Sequence, residues 1–135
     1  YNYLANIDDS SCCVLSPIQI SPDFNAPFGS LEYGYSISLN SEANILAVST
    51  PRNDQTNYMR GYVRFYSDFT GSNNWPQFGQ TLSGIYSHDG FGSSIELSSN
   101  GLTAIISSPK HDNNGLSSGL VQVFNYYDSS WIQKG

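Results

Sequence analysis

Positive charge is what this 135-residue chain has least of: five Lys and Arg stand against eleven Asp and Glu, for a formal net charge of −6. Nucleic-acid binding draws its affinity from basic side chains that displace counterions from phosphate. Here Arg52, Arg60, Arg64, Lys110 and Lys134 are scattered along the chain. No nucleic-acid partner is expected, and no anionic membrane surface. Long hydrophobic runs are missing too: no apolar stretch nears the roughly 20 residues a membrane helix requires, so no membrane insertion is expected.

Catalytic signatures are equally scarce. The chain has no phosphate-cradling glycine loop or H-E-x-x-H pair. Its only histidines, His88 and His111, each precede an aspartate (Asp89 and Asp112) in polar segments, an adjacency usual for solvated turns. Asp8 and Asp9 together could bind a cation, though turn and strand-end roles are commoner for such pairs. The expectation is a non-enzymatic protein with no catalytic residues, no metal site and no cofactor.

Cysteine is limited to Cys12 and Cys13, adjacent in sequence and the only disulfide candidates. Neighbouring cysteines rarely bond each other, because the ring so formed strains the intervening peptide. No zinc-ligand spacing is present. Two readings stand: free or buried thiols, or a bridge to a cysteine outside this chain. The sequence begins at Tyr1 without Met or a signal-like apolar region, so a processed chain or a fragment of a longer one is expected. No N-x-S/T acceptor occurs, so N-glycosylation is not expected.

Aromatic residues reach 14%, above the 12% that are charged, and Ser, Asn and Gly fill much of the rest. That balance suits short strands joined by polar turns, and it lacks the Ala, Leu, Glu, Lys and Arg that cover exposed helix faces. An internal repeat organises the pattern. YGYSISLNSEANILAVSTPRND, from Tyr33, aligns without a gap on FGSSIELSSNGLTAIISSPKHD, from Phe91, and GYVRFY then aligns on GLVQVF. About ten identities result, against roughly two or three by chance. After a slip of about two residues, WPQFG from Trp75 matches WIQKG from Trp131.

Each unit predicts four strands. The first, Tyr33 to Leu39, alternates apolar and small residues with period two. Asn100-Gly101 marks a hairpin turn after its second copy. The second strand, Ile45 to Val48 or Thr103 to Ile106, is a continuous apolar run and predicts cover on both faces. Ser-x-Pro closes it, since proline cannot donate to the ladder. The third strand runs Tyr62 to Tyr66 or Leu120 to Phe124. The fourth starts near the tryptophan and, in the first copy, reaches Leu82.

With glycine, proline and tryptophan punctuating strands in this order, residues 33 to 135 resemble the FG-GAP-like, integrin-α-type β-propeller repeats of secreted and surface proteins. The resemblance implies an all-β fold of two four-stranded antiparallel blade-like repeats, 33–90 and 91–135, incomplete as a closed propeller. Neither LNSEAN nor LSSNGL supplies enough carboxylates for the calcium loop of such blades, so calcium is not carried over. Residues 1–13, YNYLANIDDSSCC, resemble the end of a secreted N-Y-N-x-x-A-x-x-D-D-G-S-C motif. That resemblance implies an extracellular or cell-surface location and Cys12 as the disulfide partner.

Residues 14–32 are expected to form an extended segment. Within it PIQIS, including Ile18, Gln19, Ile20 and Ser21, resembles the QTLSG that continues the first repeat and has no counterpart after Gly135. These residues are expected to pair with the last blade of a neighbouring protomer, which implies head-to-tail self-association or packing on further repeats. Trp75 and Trp131 are candidates for stacking on glycans, although recurrence at equivalent positions favours packing between blades. Two functions follow: a structural subunit of an extracellular assembly such as a filament, or a carbohydrate- or protein-binding adhesion module of a larger propeller.

Overall fold

A computed structural model of the chain describes residues 19, 21–27, 30–53 and 60–135. Its strands are β1 (Ser30–Leu31), β2 (Ile37–Leu39), β3 (Ile45–Thr50), β4 (Arg52–Asn53), β5 (Tyr62–Ser67), β6 (Leu82–Ser83), β7 (Ile95–Leu97), β8 (Thr103–Ser108), β9 (Leu120–Tyr127) and β10 (Ser130–Gln133). The described residues contain no helix. The fold is all-β: two four-stranded antiparallel sheets, β2-β3-β5-β6 and β7-β8-β9-β10, which do not close into a barrel. They are consistent with two blade-like units. A two-stranded ladder joins β1 to β4.

The repeat in the sequence reappears as a repeat of register. Ile37 faces Val48 as Ile95 faces Ile106. Ser49 faces Val63 as Ser107 faces Val121. Even the slip at the tryptophans has a cause. In the second sheet β9 turns directly into β10 through Asp128 and Ser129, both left-handed at φ 47° and 62°, as a two-residue hairpin requires. In the first sheet the longer loop 68–76 intervenes. Pairing resumes at the bridge between Tyr66 and Gln77, the counterpart of Phe124 opposite Gln133.

Strand ends depart from the sequence expectation. The first strand begins at Ile37, because Glu32 is left-handed (φ 59°) and Tyr35 N–H donates to Glu32 O, which makes a turn of 32–35. The second strand runs further, to the residue before each proline. Its added hydroxyls are satisfied: Ser49 Oγ donates to Ser36 O and Thr50 Oγ1 to Leu31 O. Cover on both faces holds for β3, where all residues but Leu46 are fully buried. It fails for β8, whose Ile105 is 44% exposed.

The core lies between the facing sheets. Ile45, Ala47, Val63 and Phe65 of the first meet Phe91, Ile95, Leu97, Ala104, Ile106, Phe124 and Trp131 of the second repeat, and Leu82 completes the cluster. Gly61 permits one close approach. A Cβ there would sit 2.2 Å from Phe91 O, and its φ of +77° is itself one that side chains avoid.

Candidate functional site

The contact between the two sheets is built from equivalent residues. Ile95 and Leu97 point their edge N–H groups at Ser36 Oγ (3.1 Å) and Ser38 Oγ (2.9 Å). Ser41 Oγ donates to the carbonyl of Ser99, its own counterpart 58 residues on, at 2.8 Å. Trp131 seals the other side. Its ring stacks on Phe65 at 3.9 Å, and its Nε1–H donates to Phe78 O at 3.1 Å. The Gln80 amide grips the Trp131 backbone in both directions, accepting from its N–H and donating to its carbonyl. At 3% exposure, the Trp131 ring belongs to the interior between sheets.

Trp75, its counterpart, is half-buried. Phe24, from the segment before β1, lies against both Tyr66 (4.9 Å) and Trp75 (5.9 Å). Trp75 Nε1 is buried without a hydrogen-bond partner. Tyr33 adds its hydroxyl to that of Tyr66 at 2.8 Å. Burial first, then this bond, pushes the Tyr33 phenol's pKa well up. The segment thus takes part of the place that a preceding sheet would occupy. Of the expected inter-protomer strand, Gln19 and Ser21 are described, outside any strand; Gln19 Nε2 donates to Ser21 O and Asp23 Oδ1. Ile18, Ile20, Cys12 and Cys13 lie outside the described residues.

The face of the second sheet that points away from the first carries Ile105, Val121 and Ile132, which are 44, 63 and 51% exposed. In the first sheet the equivalents of Ile105 and Val121 are Ala47 and Val63, both fully covered. The outer edge differs in the same sense. Leu82 and Ser83 pair with Val63 and Tyr62, whereas Val121 and Leu120 have no outer-strand partner among the described residues.

The histidines separate by environment. His88 is exposed, but His111 is buried, and it pairs with buried Asp89 across the fold: Nδ1 to Oδ2 is 2.8 Å. The solvated turn expected for His111 is therefore replaced by a buried link between the turn before Phe91 and the loop after β8. Sequence adjacency to Asp112 concealed it. A second polar cluster is Asp68. Burial tends to raise its pKa, but hydrogen bonds from Asn73 N–H, Thr70 Oγ1 and Ser72 N–H outweigh burial and hold it below the usual range. That carboxylate organises the 68–76 loop. Among the described residues no cluster of three or more His, Cys, Asp and Glu is placed to hold a metal.

Fold and surface together define a repeat-built protein of two stacked antiparallel sheets. No protein-family model matches the chain, and a search of curated proteins found no match.

Proposed function

We propose that the chain is a non-enzymatic structural module of an extracellular or cell-surface assembly, in which FG-GAP-like sheets stack on one another through their faces. The observation that carries this reading is the uncovered far face of the second sheet. Repeating the contact between the two sheets by one step puts Ser94, Glu96 and Ser99 where Ser36, Ser38 and Ser41 now bind, and Ile105 and Val121 where Ala47 and Val63 now pack. The occupant is a second copy of the chain. The unpaired edge at Leu120 and Val121 supports the accompanying strand exchange, since it is the place that Leu82–Ser83 fills in the first sheet. A residue 18–21 strand is of a length to fill it, through main-chain hydrogen bonds.

Sedimentation velocity over a range of concentrations tests this. The native chain is expected to associate as concentration rises, and I105K/V121K to remain monomeric with an unchanged melting temperature, since neither side chain is in the core. Electron microscopy of the associated material then shows whether it is a filament or a ring. A native chain that stays monomeric at all concentrations overturns the reading.

A further inference from the structure

A groove of about 240 Å³ opens where the two Ser-x-Pro corners meet. Its lining comes in equivalent pairs from the two repeats: Tyr35 with Ser93, Pro51 with Pro109, and Arg52 with Lys110, joined by Glu32, Gly90 and His88. The repeat therefore brings two of the chain's five Lys and Arg, and one of its two histidines, to one concavity of a molecule whose net charge is −6.

We propose that this groove binds the carboxylate of a sugar-sized ligand. The charges match a monoanion. Glu32 Oε1 accepts one bond from Arg52 Nη1 at 3.1 Å, and Lys110 has no ion-pair partner among the described residues. Among the described residues, Arg52, Lys110 and Glu32 together leave one positive charge uncompensated. A dianion would meet the Glu32 carboxylate, whereas a single carboxylate can take Lys110 and the side of the Arg52 fork turned away from Glu32. Its volume is below the roughly 300–1,000 Å³ of pockets for drug-sized ligands, so the ligand is about one ring in size. Tyr35, 59% exposed at the wall, offers that ring an aromatic surface.

The site is also held in place before any ligand arrives. His88 sits in a left-handed conformation (φ 68°), of the kind that persists only where its surroundings enforce it. They do so through Asp89, whose buried carboxylate holds His111 and whose carbonyl accepts the N–H of Lys110 at 3.1 Å. One turn thereby positions both His88 and Lys110.

Titration of the 15N-labelled chain with glucuronate, glucose and acetate tests the assignment by NMR. Glucuronate is expected to shift the amides of Gly90, Ser93 and Lys110, glucose to leave them unmoved, and acetate to need at least about tenfold more ligand. K110E is expected to weaken glucuronate binding by about tenfold or more while its other resonances stay in place. His88→Asn, which tolerates the left-handed backbone, is expected to keep part of the binding. Equal response to glucose, no response to glucuronate, or full binding by a folded K110E overturns the site. Acetate acting as well as glucuronate overturns the sugar assignment.

Discussion

Val63 and Val121 occupy the same register position in the two sheets, opposite Ser49 and Ser107, yet one is fully buried and the other 63% exposed. The inner strands show the reverse. Ile37 and Leu39 of the first sheet are 65 and 51% exposed, whereas Ile95 and Leu97 of the second are 4 and 7% exposed. Local pattern makes the strand in both cases, so only the neighbour differs. Each sheet has one face that the other repeat covers and one with exposed apolar residues. Equivalent residues should therefore carry very unequal shares of stability, and the inequality can be measured.

The largest difference is expected at the tryptophans. Trp131→Ala removes a buried ring, its stack on Phe65 and the bond to Phe78 O, and should cost about 3–5 kcal/mol in denaturant unfolding. Trp75→Ala removes a half-buried ring whose Nε1 has no partner, and should cost about 1–2 kcal/mol. If Trp131→Ala does not fold, Trp131→Phe keeps most of the packing and isolates the lost bond at about 1–2 kcal/mol. Equal losses at the two sites would break the comparison.

Next come two glycines with nearly the same backbone, Gly61 at φ +77° and Gly119 at φ +79°. At Gly119 an added Cβ meets nothing nearer than Pro109 O at 3.6 Å, so Gly119→Ala should cost only the left-handed penalty of about 1–2 kcal/mol. At Gly61 the Cβ would lie 2.2 Å from Phe91 O, which adds roughly 1–3 kcal/mol of overpacking. The excess at Gly61 measures how firmly the second repeat presses on the first. Thermal unfolding of both variants reads it, and equal costs would mean that the backbone of Phe91 gives way freely.

The repeat, the all-β class and the number of strands per unit were legible because glycine, proline and apolar runs punctuate both copies alike. Strand ends were less so. Nothing in YGYSISL announces that Glu32 turns left-handed and that Tyr33 leaves the strand to bond Tyr66. The run TAIISS looks as covered as ILAVST, yet Ile105 is exposed, because cover depends on what stacks next rather than on the strand itself. At the candidate groove, Arg52 and Lys110 align in the repeat, but their meeting depends on the packing of two loops, which one sequence does not display. The His111–Asp89 pair is non-local in the same way.

The smallest effect expected is the most specific to the stacking contact. Leu97 is 7% exposed, and its N–H donates to Ser38 Oγ at 2.9 Å, so Ser38→Ala leaves a buried donor unpaired and should cost about 1–2 kcal/mol. Glu96 holds the equivalent position on the second sheet but is exposed, and Glu96→Ala should fall within about ±0.5 kcal/mol in the monomer. Amide exchange separates the bond from general loosening: the Leu97 amide should exchange faster in Ser38→Ala while Ile106, fully buried on the adjacent strand, keeps its protection. On the proposed stacking, the Glu96 position takes the role of Ser38 in associated material, so its replacement should then weaken association while leaving the monomer's melting unchanged. An effect of Glu96→Ala on the monomer as large as that of Ser38→Ala would mean that the two sheets are not steps of one repeating contact.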